Sequence, residues 1–210
     1  MKKSCMDKNE FAKRLQEQKT KYYRIAYSYV KNEHDALDII GEATYKDLKE
    51  LHTLKQPEYF DTWMTRIVIN AAIDYIRKNT RLVYCEEDTI DVMKVTEGDL
   101  QPEDSMDLFE ALDALSERDR ACVLLRYFEE YSFVKIAEIL QEPEPTVKSR
   151  IYRALGKMRA FIEEGRKKQM MNTGKEKYDR IPIPEKLDQV IWNNVRREEK
   201  ECHTKKYTNG

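Results

Sequence analysis

Apolar residues recur at helical spacing through the first 81 residues of the chain. The first apolar stripe consists of Phe11, Leu15, Tyr22, Ile25, Ala26 and Tyr29. Asn32 can cap a second helix, whose apolar face consists of Leu37, Ile40, Thr44, Leu48 and Leu51. Residues 51–58 contain Pro57, which interrupts helices, and are predicted to form a loop. A third helix is predicted over residues 60–77, so the pattern favours three packed helices.

The third predicted helix has apolar residues on two nearly opposite faces and one polar stripe between them. The stripe consists of Arg66, Asn70, Asp74 and Arg77, at positions i, i+4, i+8 and i+11. Such neighbours pair well with one another on a helix surface, and this would explain the balance of charge. It would not explain why the stripe is isolated, so internal pairing and a binding role both stay open.

Residues 131–159 have the pattern of two helices joined by a tight turn. Phe133, Ile136 and Leu140 share one face of the first helix, and Pro143 then interrupts the pattern. Pro145 is well placed in the first turn of the second helix. The apolar face of that helix consists of Val147, Ile151, Leu155, Met158 and Ile162.

The other side of this second helix is cationic. Its polar residues are Thr146, Ser149 and Arg153, with Lys148 and Arg150 on the flanks. A DNA-binding helix-turn-helix needs an apolar back, short polar and Arg side chains toward base edges, and flanking cations for phosphates. The alternative is a bundle helix with a solvated basic face.

Charge along the chain is segregated, although the formal net charge of the 210 residues is only −1. Residues 86–104 contain eight acidic residues and one base, Lys94, whereas residues 145–160 contain five basic residues and no acidic one. Local charge, and not net charge, determines a DNA footprint. The acidic stretch lacks periodicity and is predicted to be a linker.

Several classes of protein are disfavoured by what the sequence lacks. The four cysteines and three histidines have no metal-ligand spacing, so we expect reduced thiols and no metal or cofactor. No catalytic signature is present, and we do not expect an enzyme. No apolar run approaches 18 residues, so we expect a cytoplasmic protein without a membrane span.

These patterns predict an all-α protein with two small helical domains joined by an acidic flexible linker. The first domain spans residues 9–81, the linker 82–104, and the second domain 105–164. The second is predicted to be a four-helix domain with the helix-turn-helix, and Ser116 to Asp119 resembles a capping box within it. Residues 165–210 form a C-terminal tail in which Pro184 can start an amphipathic helix with Leu187, Val190, Ile191 and Val195 on one face.

Four motifs in order resemble a bacterial RNA polymerase sigma factor of the extracytoplasmic-function (ECF) group, in the sigma-70 family. They are NEHDALDIIGEATYKDL, FDTWMTRIVINAAIDYIRKNTR, LDALSERDRACVLLRYFEEYS and KIAEIL followed by TVKSRIYRAL. The resemblance covers about residues 10 to 163. It implies a transcription initiation factor whose front domain docks on the polymerase clamp helices and melts the −10 element. The rear domain would contact the flap and read the −35 element.

The resemblance also implies roles for single residues. Asp35, Asp38 and Glu42 match the acidic positions that face the polymerase, and they also share one helix face. The −10 element would be bound by Arg66, Asn70, Asp74 and Arg77, and the −35 element by Thr146, Lys148, Ser149, Arg150 and Arg153. The loop at 51–58 corresponds to the family's loop for a flipped base. Trp63 could stack on a base or belong to the core.

Three positions depart from the family pattern. Lys135 stands where Glu is frequent, Pro145 where Gly is frequent, and Gly41 where Gln is common. These departures leave the −35 sequence open, and Gly41 could weaken the docking helix.

The tail is unusual for the family. Residues 171–197 resemble the opening of a cytoplasmic anti-sigma segment, and an anti-sigma factor is an expected partner. We predict that this segment docks in cis on one domain and modulates its activity. The alternative is a disordered extension or a partner-binding tail.

A second functional hypothesis is a helix-turn-helix regulator that acts without being a polymerase subunit. Dependence on polymerase separates the two, because a regulator would bind its site alone. An enzyme with an appended DNA-binding domain would need a catalytic constellation, and the sequence offers none. The resemblance instead implies a sigma factor for an envelope or stress response.

Overall fold

The computed structural model describes residues 6–54, 56–85, 111–163 and 170–196. All regular secondary structure in these ranges is helical, which confirms the all-α prediction. Residues 82–85, predicted as the start of the linker, are helical, because the third helix continues to Cys85. The rest of the predicted acidic linker, 86–104, and the last residues of the tail, 197–210, lie outside the described residues. The chain divides into two compact units, one from Met1–Met93 with Ile183–Gly210 and one from Lys94–Pro182. We call them the front unit and the rear unit.

Three helices form the front unit's core, and each packs against the other two. They are α1 (Lys8–Val30), α2 (Glu33–Glu50) and α3 (Phe60–Cys85). The predicted apolar stripes of α1 and α2 are buried, and Asn32 caps α2 by accepting a hydrogen bond from the Asp35 amide. The predicted loop between α2 and α3 contains two short 3-10 turns, Leu51–Thr53 and Pro57–Tyr59. Leu51 and Leu54 are buried there, so this segment is packed against the core.

The rear unit contains three helical residues, 111–113, followed by α4 (Glu117–Val123), α5 (Phe133–Leu140) and α6 (Glu144–Glu163). The predicted cap is confirmed, since Ser116 accepts a hydrogen bond from the Asp119 amide at 3.3 Å. After α4 the chain widens into a π-helical turn, Leu124–Phe128. This turn keeps Leu124, Leu125 and Phe128 buried together.

The buried face of α6 differs from the predicted apolar stripe at Leu155, and the side chain of Ile162 lies outside the described part of the helix. Val147, Ile151 and Met158 are buried as predicted, but Ala154 is fully buried and Leu155 only half-buried. Ala154 lies nearer the centre of the face at 100° per residue. Its short side chain permits close helix contact there, while Leu155 lies at the edge.

The tail contains two helices in the described range. The first, α7 (Met170–Asp179), was not predicted and belongs to the rear unit. Its Tyr178 is buried against Phe128, with ring centroids 4.9 Å apart, and its hydroxyl donates to Glu129 at 2.7 Å. The second, α8, spans residues 186–196 and belongs to the front unit; Leu187, Ile191 and Val195 of the predicted face are buried, and Val190 is half-buried. Within the described ranges, no helix combines the length and the apolar character that crossing a membrane requires.

Candidate nucleic-acid interface

The helix-turn-helix consists of α5, a three-residue turn and α6. Ser132 caps α5 by accepting a hydrogen bond from the Lys135 amide at 3.2 Å. Gln141 ends α5 in a left-handed conformation, with φ 55°, and its N–H bonds to the Ala137 carbonyl. Pro145 lies in the first turn of α6, where a proline costs no helical hydrogen bond. The turn therefore has a defined conformation without a glycine.

The predicted −35 residues on the outer side of α6 lie opposite its buried face. Ser149 and Arg153 are exposed, while Thr146 is half-buried at the start of the helix. Gly156 continues this side one turn later, and a Cβ at this position would meet no atom within 4 Å. The outer side of α6 is thus an open surface of small, polar and cationic residues.

Tyr152 also belongs to this outer side, although sequence reasoning did not select it. Its side chain is 67% exposed, which is high for a large aromatic residue. A helical wheel would have found it, because position 152 lies well away from the apolar face formed by Val147 and Ile151. An exposed Tyr offers both a hydroxyl and an apolar ring to a nucleic acid.

Two of the predicted DNA-binding cations are anchored by a buried carboxylate on α4. Arg150 Nη1 and Arg153 Nη2 both donate to Asp119 Oδ1, each at 3.1 Å. The Asp119 side chain is only 3% exposed. Burial by itself would raise the pKa of Asp119, but the hydrogen bonds from Arg153, Arg150 and Ser116 outweigh it and lower the pKa below its ordinary value. Asp119 is therefore a charged anchor for the outer side of α6.

The flanking cations have carboxylate partners as well. Arg150 Nε donates to Glu142 at 2.7 Å, so this guanidinium bridges two acidic residues. Lys148 pairs with Glu144 at 2.6 Å, and its ammonium lies 5.5 Å from the centre of the Phe133 ring. Phosphates must compete with these carboxylates for Arg150 and Lys148. The predicted phosphate-binding roles of both residues stay predictions.

In the front unit, the predicted polymerase-facing residues differ in exposure and in the partners of their carboxylates. Asp38 and Glu42 are 59% and 52% exposed; Asp38 lies 3.4 Å from a ring nitrogen of His34, and Glu42 forms an ion pair with Lys46, both on the same helix. Asp35 is only 27% exposed, and it accepts a hydrogen bond from the Tyr75 hydroxyl of α3 at 2.8 Å. Asp35 thus also joins α2 to α3, whereas Asp38 and Glu42 form the exposed acidic face.

The polar stripe of α3 lies at the surface of the front unit. Arg66 and Asn70 are half-buried, and Asp74 and Arg77 are exposed. Asp74 is near α2, where it contributes, after Glu42, to raising the pKa of Lys46. The stripe is brought together as predicted, and its role at the −10 element stays a prediction.

Two aromatic residues near the start of α3 have different surroundings. Trp63 is buried with its ring centroid 6.4 Å from that of Phe60, as expected of a core residue. Tyr59 is exposed at the end of the second 3-10 turn. Of these two aromatic residues, Tyr59 is therefore the one with an exposed ring.

Metal chemistry has no evident location in the part of the chain that the structure describes. No group of three or more His, Cys, Asp or Glu side chains there could hold a metal ion. Cys122 is a buried free thiol whose pKa is raised to about 12, mainly by burial. It behaves as a core residue.

Comparison with known protein families assigns both units. The model of Sigma-70 region 2 matches residues 15–82, which contain the acidic face and the polar stripe. The model of Sigma-70, region 4 matches residues 105–158, which contain Asp119 and the helix-turn-helix.

Curated relatives match across both of these regions. RNA polymerase sigma factor SigV of Bacillus subtilis is 38% identical over 159 residues, 76% of this chain and 95% of that protein. ECF RNA polymerase sigma factor SigW of the same organism is 32% identical over 172 residues, 75% of this chain and 91% of that protein.

A solved structure of the sigma factor RpoE in complex with the anti-sigma factor NepR, from Bartonella quintana, shares the fold. Its TM-score is 0.61 at 21% sequence identity, and the match covers 75% of this chain and 99% of that one. The two region models and the SigV and SigW matches identify the family. The chain belongs to the ECF group of the sigma-70 family, the initiation factors that direct RNA polymerase to promoters.

Proposed function

We propose that the two units grip polymerase and promoter at separate points. The front unit docks on the clamp helices through Asp38 and Glu42, with Asp35 at the edge of the same face. The α3 stripe, Arg66, Asn70, Asp74 and Arg77, contacts the −10 element. The main support is electrostatic, because Asp38 and Glu42 are exposed carboxylates whose close partners among the described residues, His34 and Lys46, lie on α2 itself. Such carboxylates suit a basic docking surface.

The rear unit reads the −35 element and contacts the polymerase flap. The observation that carries this proposal is the outer side of α6, where Ser149, Tyr152 and Arg153 are exposed opposite a fully buried face. Arg153 is the reader of base edges, since a guanidinium matches guanine in the major groove. Thr146, Lys148 and Arg150 contact phosphates and set the register.

An anti-sigma factor is a proposed regulator of this protein. RpoE in the solved structure is in complex with the anti-sigma factor NepR. By analogy, such a partner would hold this chain inactive until an envelope or stress signal releases it. We place the activity in the cytoplasm, because a promoter-directing factor must meet RNA polymerase and chromosomal DNA there.

Dependence on polymerase is the test. A randomised promoter library is transcribed with core polymerase in the presence and absence of the protein, and selected promoters are footprinted with each component alone. We expect specific footprints and open complexes only when both are present. A specific footprint by the protein alone would instead support the helix-turn-helix regulator.

A further inference from the structure

Helix α8 buries one complete side in the front unit, next to the exposed acidic face of α2. Leu187, Ile191 and Val195, at positions i, i+4 and i+8, are 1%, 0% and 3% exposed. The opposite side of the helix is polar apart from Trp192, which is exposed. This pattern is that of a helix whose apolar side belongs in a groove.

Polar contacts hold α8 along α1. Asp188 Oδ1 accepts hydrogen bonds from the Gln16 amide and from the Lys19 ammonium. The Lys19 bond, helped by Gln16, holds the pKa of Asp188 below its ordinary value. Because Asp188 is half-exposed, this pair sets the position of α8 more than it stabilises it.

Gly41 permits the close approach of α8 to α2. A Cβ at position 41 would lie 3.2 Å from Asn194 Nδ2 and 3.3 Å from Val190 Cγ1. Both distances are shorter than ordinary van der Waals contact, so even an alanine would require the Asn194 and Val190 side chains to shift by a few tenths of an ångström. A long side chain would require much more room between α2 and α8. Glutamine, which the family resemblance associates with this position, would occupy the space of Asn194. Gly41 therefore matches the presence of α8 in this chain.

Gly41 lies between Asp38 and Glu42 in sequence, at the edge of the acidic face. A helix with its side chains is about 10–12 Å across, and packed helices lie about 8–10 Å apart. A polymerase helix that packed on Asp38 and Glu42 would therefore compete for space with α8 along this edge. We propose that α8 is an intramolecular mask, which lowers the affinity for core polymerase until it is displaced. The proposal rests on the docking role given above to the acidic face.

The size of the masking effect follows from how often α8 is seated. If it is seated about 90% of the time, the apparent affinity for polymerase is lowered about tenfold, because only the unmasked fraction binds. The mask is reversible in this range, since a competing partner of moderate affinity can displace it.

Full-length point variants test the mask from both sides of the contact. Ile191→Asp places a charge in the buried stripe and should expel α8 without touching α2. Gly41→Gln should expel α8 from the other side. The matched control is Gln189→Asp, which adds the same charge to an exposed position of α8. Far-UV circular dichroism and thermal unfolding check that the remaining helices are intact, and Asp188→Lys, opposite Lys19, is a milder variant if Ile191→Asp unfolds.

The readout is the dissociation constant for core polymerase. We expect Ile191→Asp and Gly41→Gln each to bind about tenfold more tightly than the wild type and Gln189→Asp. The double variant should bind no more tightly than either single variant, because both changes remove the same contact between α8 and the front unit. Equal affinities for Ile191→Asp and Gln189→Asp would overturn the mask and leave the sigma-factor function standing. Failure of every form to bind polymerase would overturn both proposals.

Discussion

The two units hold their functional charges in opposite ways. In the rear unit, Arg150 and Arg153 on α6 are anchored by Asp119, a buried carboxylate on another helix. In the front unit, Asp38 and Glu42 are exposed, and their close partners His34 and Lys46 are neighbours on the same helix. The cationic surface is thus tied to another helix of its unit, whereas the close partners of the acidic face among the described residues lie within α2.

This difference suits the two surfaces to different proposed roles, base recognition for α6 and polymerase docking for α2. Exposed pairs at i, i+4 contribute about 0.5 kcal/mol or less, so the acidic face of α2 can exchange them for a partner at little cost. A pair with a buried partner is costly to break, by about 3–5 kcal/mol when the buried charge is left alone. Anchored guanidiniums keep a fixed geometry, which base recognition requires. Freely exposed carboxylates suit an electrostatic encounter with a large surface.

Removing the buried anchor should have the largest effect. Asp119→Asn should lower the unfolding free energy of the rear unit by about 2–4 kcal/mol, because two guanidiniums lose a charged acceptor. Both tryptophans, Trp63 and Trp192, belong to the front unit. In urea unfolding of Asp119→Asn, the far-UV signal should therefore show a transition at lower urea concentration. The urea midpoint measured by tryptophan emission should stay that of the wild type.

The control for this variant is Glu138→Gln, which removes an exposed pair with Lys135. It should change the unfolding free energy by less than about 0.5 kcal/mol. If Asp119→Asn unfolded at the same urea concentration as Glu138→Gln, the anchor would contribute nothing and the comparison between the units would fail.

Arg153→Ala should have the next largest effect, on promoter choice. We expect a loss of discrimination among −35 variants of about 1–3 kcal/mol, since a base contact disappears. Lys148→Ala should instead weaken binding to all variants alike and reduce the slope of log affinity against log salt by about 1. Holoenzyme binding to a set of −35 variants at several salt concentrations measures both. Unchanged discrimination by Arg153→Ala would mean that another residue, with Tyr152 the nearest candidate, reads the bases.

Neutralising the acidic face should have a smaller effect. The double variant Asp38→Asn, Glu42→Gln should lose about 1 kcal/mol of affinity for core polymerase, mostly in the association rate and mostly at low salt. Its unfolding should not change, since both side chains are exposed. Glu50→Gln, at the exposed end of α2, is the matched control. An equal loss for the control would indicate a general charge effect and not a docking face.

Much of the helical pattern could be predicted from periodicity alone. The stripes of α1 and α2, the cap at Ser116 and the start of α6 near Pro145 all depend on residues within one or two turns of each other. The same holds for the buried side of α8, with Leu187, Ile191 and Val195. Local spacing carries this information.

Other features depend on contacts between distant segments. Asp119 reads in the sequence as a residue of a capping box, and nothing local shows that α6, about thirty residues later, brings two guanidiniums to it. Helix α7 has no apolar stripe and is held by Tyr178, so periodicity could not reveal it. In the sequence, Gly41 indicated only a weakened docking helix. Its contacts could not be predicted, because the residues that approach it, Val190 and Asn194, belong to the distant tail. These residues could be seen in the sequence, but which of them contact each other could not be predicted from it.

The pH dependence of the rear unit should show the smallest effect. The pKa of Asp119 is lower in the folded protein than its ordinary value of about 4, so its stabilisation is present above that value and is lost as the pH falls through the folded pKa. Between pH 5 and pH 4 the unfolding free energy should therefore fall further for the wild type than for Asp119→Asn. The extra fall should be below about 1 kcal/mol, since one group changes stability by at most about 1.4 kcal/mol per pH unit. Urea midpoints of the far-UV transition at the two pH values measure this difference. A wild type and a variant that lost stability in parallel would show that the Asp119 carboxylate has the same pKa folded and unfolded, and that its guanidinium partners only balance its burial.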